Sequence, residues 1–163
     1  MTEALRTRSA PETERLGEAL APALEPGDVV MLRGPLGSGK TCFVSGLARG
    51  LECTGRVRSP TFGLVHEYPG RILLVHLDLY RLDPGQAEAL GLEEYAERAA
   101  LVAEWGEKLP PSWQADALRL EFAFGDGPEE RRIAAAGEGA RGRVLLEASA
   151  RIALPAPRSE STA

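Results

Sequence analysis

The sequence predicts an α/β fold in three layers, with a mixed sheet that includes an antiparallel hairpin. Two observations carry this prediction. The apolar run Val29–Arg33 is followed by a glycine-rich loop and then by a helical pattern over about 40–51, which is the order strand, loop, helix. Two strand-like runs, 61–68 and 71–80, are separated by Pro69 and Gly70, residue types that favour the tight turn of a hairpin.

A helix is predicted over about 9–23, ahead of the first strand. Ser9 is a residue type that caps helix N-termini, Pro11 falls in the first turn, and Glu12 follows the cap by three positions. The remaining elements are predicted as an amphipathic helix over 84–98 that Gly91 interrupts, strands over 99–103, 117–124 and 131–136, and either a helix or a strand over 142–152.

Length and composition favour one domain, which we assign to residues 1–154 of the 163-residue chain. Residues 1–8 offer little to bury, so we expect them to be loose. The Pro/Ser/Thr-rich segment 155–163 is predicted to be a flexible tail for the same reason. The net charge of −5 argues against a protein whose main role is to coat DNA or RNA.

The same composition predicts a cytoplasmic protein. No apolar run approaches the length of a membrane span, and the N-terminus is too charged for a signal peptide. The two cysteines, Cys42 and Cys53, match no zinc spacing and are too few for a disulfide framework, so we expect reduced thiols.

The loop after the first buried strand has the spacing of a phosphate-binding loop. Residues 34–41, GPLGSGKT, match G-x-x-x-x-G-K-[ST]. Glycines let successive backbone N–H groups turn toward a phosphate, and the helix that starts near Lys40 directs its positive end at the same anion. Lys40 is expected to reach the β- and γ-phosphates, and the Thr41 hydroxyl to bind Mg²⁺. Lys40 is also one of only two lysines in the chain.

Two acidic residues follow apolar strands and are candidates for the other side of a magnesium site. Asp78 ends the run 72–77, and Glu104 ends the run 101–103. Either carboxylate can bind Mg²⁺ directly or through water, or orient an attacking water. The alternative for each is a strand-end acid that caps the backbone or pairs with an arginine such as Arg81.

Several other features have both a functional and a structural interpretation. Ser59, Pro60 and Thr61 occupy the place of a γ-phosphate sensor, or form a simple turn into a strand. His66 and His76 fall on adjacent hairpin strands, and we interpret both as structural. A short basic stretch forms a solvated face or contacts RNA or an acidic partner: Arg49, Arg56 and Arg58.

Nucleotide choice follows from an absence in the sequence. Guanine-specific GTPases commonly use an Asn-Lys-x-Asp loop, and this chain contains no Asn. ATP is therefore favoured by elimination.

Five blocks stand in order along the chain: GPLGSGKT, SPTFGLVHEY, HLDLYRL, LGLEEY and AEW. Together they resemble the TsaE (YjeE) family of small bacterial P-loop ATPases, over about residues 9–137. The resemblance implies a P-loop NTPase-like three-layer sandwich that uses ATP and Mg²⁺. It implies an ATPase needed to make threonylcarbamoyladenosine in tRNA, docked on the TsaB–TsaD pair, whose ATP hydrolysis resets the complex between turnovers. It implies contact with tRNA at most indirectly, and neither DNA nor a membrane as a partner.

The resemblance also assigns residues of this chain by position. The catalytic residues are Lys40, Asp78 and Glu104, and the metal ligands are Thr41, Asp78 and Glu104. The expected nucleotide-binding residues are Ser9, Ala10, Gly37, Ser38, Gly39, Lys40, Thr41, Cys42, Thr61 and Trp105. Arg131 and Arg132 begin a late predicted strand and are candidates to reach the nucleotide from their position alone, and Arg132 is included in the binding set. Three positions depart from the family pattern, namely Pro35 in place of Asp, Cys42 in place of a hydroxyl residue, and Gly63 in place of Thr. The phosphate cradle needs none of these three side chains.

Two other functional classes share the phosphate loop. A small-molecule kinase would pass the phosphate to a bound acceptor and should have an arginine-rich lid, which the sequence does not clearly offer. A nucleotide-gated binding module would use ATP only to order a docking surface, with negligible turnover.

Overall fold

The computed structural model describes residues 2–58, 64–83 and 85–152. Its seven strands join one sheet in the order β1-β7-β6-β2-β5-β4-β3. The strands are β1 (Thr2–Thr7), β2 (Val29–Arg33), β3 (Val65–Tyr68), β4 (Leu73–Asp78), β5 (Ala99–Glu104), β6 (Leu118–Phe124) and β7 (Arg131–Gly137).

The sheet is mixed, as predicted. Four central strands run parallel, because β2 pairs in parallel with both β5 and β6, and β5 pairs in parallel with β4. Antiparallel pairs flank this centre, with β3 beside β4 at one edge and β7 between β6 and β1 at the other. The predicted hairpin is therefore confirmed, although its described strands are shorter than 61–68 and 71–80.

Four α-helices accompany the sheet within the described residues. They are α1 (Ala10–Leu20), α2 (Lys40–Gly50), α3 (Pro111–Gln114) and α4 (Gly139–Ala150). Short 3₁₀ turns span Ala21–Ala23, Gln86–Leu90, Leu92–Tyr95 and Gly106–Lys108. The segment 142–152, which fitted either a helix or a strand, is largely the helix α4. None of the helices in the described ranges is long and apolar enough to cross a membrane.

Strand β2 separates two hydrophobic cores, which gives the three layers. Val30 and Leu32 point to the core beneath α1, α2 and α4. Val29 and Met31, on the alternate positions, point to a second core that the 3₁₀ turns over 86–95 cover. A strand buried on both faces reads as a continuous apolar run, which is how β2 appears in the sequence.

Helices α1 and α2 are packed with their backbones in close approach. A methyl group on Gly46 would lie 1.9 Å from the Glu14 carbonyl oxygen, and one on Gly17 would lie 2.2 Å from the Phe43 carbonyl oxygen. Only glycine permits this contact. The contact fixes the start of α1 beside the start of α2, where the phosphate-binding motif lies.

The N-terminal cap predicted for α1 is confirmed. The Glu12 amide donates to Ser9 Oγ at 3.2 Å, and Ser9 has the extended conformation of a cap residue. Thr7 and Thr13 are buried and joined by a 2.6 Å hydrogen bond between their hydroxyls. The start of α1 is thus anchored to the strand that precedes it.

Two predicted elements differ from the structure. Residues 1–8 were expected to be loose, whereas Thr2–Thr7 forms β1 and pairs antiparallel with β7. Its partner lies more than 120 positions away, so no local pattern reveals the pairing. In place of the amphipathic α-helix predicted for 84–98, residues 85–98 contain two 3₁₀ turns, because Gly91 between them adopts a left-handed conformation that a regular helix does not continue through. The predicted tail 155–163 and the segment 59–63 lie outside the described residues.

Strand β1 also fixes the start of β7 through an ion pair. Arg6 Nη2 donates to Glu130 Oε2 at 2.9 Å. This hydrogen bond and the positive charge of Arg6 hold the pKa of Glu130 below its usual 4.5. The pair holds the turn that leads into Arg131.

The close approach of α1 and α2 predicts a large cost for one methyl group. Gly46→Ala should lower the free energy of unfolding by about 3 kcal/mol, because the new Cβ forces the helices apart. Gly127→Ala is the matched control, since its Cβ would meet only Glu130 at an ordinary 3.7 Å. Urea unfolding measures both. If Gly46→Ala instead raised the free energy of unfolding by about 1 kcal/mol, as helix propensity alone would give, this packing would be contradicted.

The Arg6–Glu130 pair predicts a pH-dependent contribution to stability. Because the pKa of Glu130 is lowered in the folded state, its contribution is complete above pH 4.5 and is lost as the pH falls through the folded-state value. Glu130→Gln should therefore lower the melting temperature at pH 7, and the difference from wild type should shrink in acid. Glu147→Gln, on the exposed face of α4, should leave the melting temperature unchanged both at pH 7 and in acid. A difference that grows in acid would contradict the assignment.

Candidate functional site

A cavity of about 670 Å³ opens beyond the carboxyl ends of β2, β4 and β5. This is the edge at which α/β sheets place their ligands. Its wall is made by Ala10, Thr13, Gly34, Leu36, Gly37, Gly39, Lys40, Thr41, Cys42, Leu64, Asp78, Tyr80, Arg81, Glu104, Trp105, Glu129 and Arg131. The phosphate-binding motif, the start of α1 and both predicted acids therefore meet in one place.

The glycines of the motif shape the floor of the cavity. Gly39 stands before α2 with φ +103°, a left-handed conformation that other residues rarely adopt. A Cβ on Gly34 would lie 2.6 Å from the Phe122 carbonyl oxygen, so the loop can pass β6 only without a side chain there. The first turn of α2 leaves amide groups without helical acceptors, and these favour an anion.

Lys40 is buried at the first position of α2, with 9% of its side chain exposed. Its Nζ donates to the Gly34 carbonyl oxygen and lies 3.9 Å from Glu104 Oε1. The ammonium is also 5.5 Å from the centre of the Trp105 ring, within the range of a cation–π interaction. Every partner of this charge comes from the cavity wall.

Glu104 ends β5 as a buried carboxylate between two partners. Oε1 faces Lys40, and Oε2 lies 3.0 Å from Nε2 of the fully buried His76. A buried charge is tolerated when it is paired and hydrogen-bonded, and both conditions hold here. We interpreted His76 as structural from the sequence; its contact with Glu104 instead brings it into the site.

Asp78 stands directly beside Glu104, because the two residues are register partners at the ends of β4 and β5. Asp78 Oδ1 accepts the backbone N–H of Tyr80 at 3.0 Å, which fixes the direction of its carboxylate. Asp78 is partly exposed, whereas Glu104 is buried. The two predicted acids thus share one edge of the sheet in different environments.

An aromatic pair forms one side of the cavity. Trp105 has φ +58°, a conformation uncommon for a large residue, and its ring centre lies 5.2 Å from that of Tyr80. Lys108, the second lysine of the chain, lies 5.7 Å over the outer face of Tyr80. Trp105 is therefore held between Lys40 on the inside and Tyr80 toward the solvent.

Arg131, and not Arg132, reaches the cavity. Arg131 Nη2 donates to the Gly37 carbonyl oxygen at 3.2 Å, and its guanidinium stacks on Phe124. Arg132 points to the other face of β7 and pairs with Asp126 at 3.0 Å. Of the two arginines that were candidates to reach the nucleotide, the structure thus places Arg131 in the cavity wall and Arg132 away from it, since side chains alternate along a strand. The choice of Arg132 for the site is therefore corrected.

The other predicted residues fall into three groups. Ala10, Gly37, Gly39, Lys40, Thr41, Cys42, Asp78, Glu104 and Trp105 line the cavity. Ser9 caps α1 without lining the cavity, and Ser38 is fully buried, its hydroxyl having no hydrogen-bond partner within the described ranges. Thr61 lies outside the described residues. Thr13, in the stretch from Ser9 to Thr13 that the resemblance places by the nucleotide base, also lines the cavity. The wall contains four further residues that the sequence did not single out: Leu36, Leu64, Tyr80 and Glu129. The first three fall within the blocks GPLGSGKT, SPTFGLVHEY and HLDLYRL, whereas nothing in the sequence marks Glu129.

Oxygen donors in the wall fit a hard divalent cation. Thr41 supplies a hydroxyl, and Asp78 and Glu104 supply carboxylates, the ligand types that Mg²⁺ prefers. Within the described ranges, no three His, Cys, Asp or Glu side chains lie together as a metal-binding group. Mg²⁺ usually takes only one or two carboxylates, with phosphate oxygens and water as its other ligands. The donors present are sufficient for that mode.

The chain is similar to one family of known proteins. The model of the family described as threonylcarbamoyl adenosine biosynthesis protein TsaE matches residues 7–133. The chain belongs to the TsaE family. A TsaE protein from a Nostoc species is 46% identical over 122 residues, 70% of this chain and 74% of the relative. The Bacillus subtilis TsaE protein is 36% identical over 87% of this chain and 90% of its own.

A solved structure of the same family supports the fold. The crystal structure of Bacillus subtilis YdiB superposes with a TM-score of 0.74 at 33% identity, over 93% of this chain and 95% of that one. The resemblance to the TsaE family and the predicted α/β fold are both confirmed. The family match covers every residue that lines the cavity.

The two lysines of the chain provide a matched test of the cavity. Lys40→Ala should weaken binding of Mg²⁺ and a non-hydrolysable ATP analogue by about 10–100-fold, the loss of about 1.5–3 kcal/mol for a hydrogen bond to a charged group. Lys108→Ala removes the same charge outside the cavity wall and should leave the affinity within about threefold. Isothermal titration measures both. Equal affinities for Lys40→Ala and wild type would show that the phosphate does not bind here.

Proposed function

We propose that this chain binds Mg²⁺–ATP in the cavity and hydrolyses it during the formation of threonylcarbamoyladenosine in tRNA. The observation that carries the proposal is the buried Lys40, which lies in a glycine loop at the start of a helix and faces the Glu104 carboxylate. The relatives are named as tRNA threonylcarbamoyladenosine biosynthesis proteins, and the proposal extends that pathway to this chain. It also implies the cytoplasm as its place of action.

The proposed first step is an exchange of partners at Lys40. Without a ligand, its ammonium is held by the Gly34 carbonyl oxygen and by Glu104. A triphosphate in the loop offers a stronger acceptor, so Lys40 turns to the β- and γ-phosphates. The amides of residues 37–41 close around the same oxygens, and Glu104 Oε1 becomes available.

The carboxylates then act on the opposite side of the γ-phosphate. Thr41, Asp78 and Glu104 are the residues that would hold Mg²⁺, which when bound would neutralise charge developing on the phosphate oxygens. Asp78 or Glu104 orients the water that attacks in line with the leaving oxygen. Lys40 and the loop amides stabilise the charge that develops on the transferred group.

The remaining wall is proposed to bind the rest of the nucleotide. Ala10 and Thr13, at the start of α1, line the cavity and are proposed to face the base, and Trp105 is proposed to contact the nucleotide from its own part of the wall. Arg131 supports the loop through the Gly37 carbonyl oxygen. We retain ATP over GTP because the chain contains no Asn for a guanine-reading loop.

We propose the TsaB–TsaD pair as the partner on which hydrolysis takes place. The net charge of −5 favours a protein partner over direct binding to tRNA, because nucleic-acid-binding domains usually carry a positive excess. Hydrolysis would then reset the complex between turnovers and would not perform the transfer itself. Neither DNA nor a membrane is proposed as a partner.

Phosphate release from Mg²⁺–ATP tests this function directly. We expect a slow rate for the chain alone and a several-fold rise when the purified TsaB–TsaD pair is added. The assay contains no small-molecule acceptor, so a kinase would release little phosphate until an acceptor was supplied. A rate indifferent to the pair would remove the partner from the proposal and leave the nucleotide site.

The two acids are predicted to serve turnover more than binding. Asp78→Asn and Glu104→Gln should each lower the stimulated rate by about 10²-fold or more. Affinity for the non-hydrolysable analogue should fall far less, because the loop and Lys40 remain. Glu147→Gln removes an exposed acid on α4 and serves as the control. If Asp78→Asn and Glu104→Gln kept the wild-type rate, the two acids would have no role in hydrolysis. A negligible rate of the wild type itself would favour a nucleotide-gated binding module.

A further inference from the structure

His76 is a fully buried side chain in β4 whose only hydrogen bond among the described residues is to Glu104. Nε2 lies 3.0 Å from Glu104 Oε2, and Nδ1 has no partner among them. One nitrogen of the ring therefore contacts a residue of the site, and the other is buried in the sheet.

The geometry defines which nitrogen carries the hydrogen. A carboxylate oxygen only accepts, so the hydrogen bond to Oε2 requires a hydrogen on Nε2. A hydrogen on Nδ1 would be buried with no acceptor among the described residues, at the cost of an unsatisfied donor. The tautomer with its hydrogen on Nε2 donates to Glu104 and leaves no buried donor on Nδ1.

The two oxygens of Glu104 have partners that differ in mobility. Oε1 faces Lys40, whose flexible ammonium is the group expected to move to a phosphate. Oε2 faces His76, which is fixed in the sheet between its register partners His66 in β3 and Val102 in β5. When Lys40 leaves, the hydrogen bond from His76 remains.

We propose that His76 is a positioning residue for Glu104, holding Oε2 so that Oε1 alone is presented to the cavity before and after Lys40 moves. The proposal rests on the proposed function for the reaction that it affects. The hydrogen bond itself stands independently of that function. Groups that orient a metal-binding or catalytic carboxylate typically change metal affinity or activity by about 10–100-fold when removed.

Two substitutions separate the hydrogen bond from the volume of the ring. His76→Leu fills the space without a donor, whereas His76→Gln places an amide N–H near the position of Nε2. His66→Leu is the matched control, since it is the other histidine of the chain and lies directly opposite His76 in the neighbouring strand. Thermal melting of each variant shows that it is folded before its kinetics are compared.

The expected result is a loss in turnover with little loss in binding. His76→Leu should lower kcat for ATP hydrolysis by about 10–100-fold and raise the Mg²⁺ concentration at half-maximal rate. Its KM for ATP should stay within about threefold. His76→Gln should restore most of kcat, and His66→Leu should match wild type. A folded His76→Leu with wild-type kcat and Mg²⁺ dependence would overturn the proposal, as would a His76→Gln that is folded but as slow as His76→Leu.

A second measurement needs no substitution at His76 and no turnover. Long-range ¹H–¹⁵N NMR spectra distinguish the two tautomers of a histidine, and the chain has only two histidines to assign. We expect His76 to carry its hydrogen on Nε2 and to exchange it slowly, with faster exchange in Glu104→Ala. A ring with its hydrogen on Nδ1 and none on Nε2 cannot donate to Glu104, and it would overturn the proposal even if every variant were inactive. If wild type released no phosphate with the TsaB–TsaD pair, the proposed function would fail while the spectrum still decided the role of His76.

Discussion

Lys40 carries a positive charge in a place where only 9% of its side chain meets solvent. A buried ammonium needs compensation, and here the Gly34 carbonyl oxygen, the Glu104 carboxylate and the Trp105 ring provide it. These partners are weaker than a triphosphate for a cation, because a single carboxylate at 3.9 Å makes no direct hydrogen bond. The site is therefore arranged around a charge that is held in place yet available to an anionic ligand.

The sheet brings the partners of Lys40 together because the carboxyl ends of parallel strands lie at the same edge. Strand β2 ends at the glycine loop, β4 ends at Asp78 and β5 ends at Glu104. The close packing of α1 on α2 adds the start of α1 to the same edge. His76 lies two positions before Asp78 on β4 and reaches across to Glu104, so the two strands are joined by a side-chain hydrogen bond as well as by their ladder.

Local signals predicted the parts of this site that a short stretch of chain determines. The glycine spacing and the lysine lie within eight residues, a helical pattern follows them directly, and the two acids each follow an apolar run. Contacts between distant residues were not predictable in this way. The alternation of β7 places Arg131 toward the loop and Arg132 away from it, and the phase of that alternation depends on pairing with β6 and β1. The bond between His76 and Glu104 likewise depends on the register of β4 and β5.

A crystal structure with Mg²⁺ and a non-hydrolysable ATP analogue would show whether Lys40 exchanges Gly34 and Glu104 for a triphosphate, as we propose. We expect Lys40 Nζ to lie about 2.7–3.2 Å from phosphate oxygens and to leave the Gly34 carbonyl oxygen, while Glu104 Oε2 keeps its hydrogen bond to His76. A nucleotide bound outside the glycine loop, or a Lys40 that keeps both of its present partners beside a bound triphosphate, would contradict the proposed exchange.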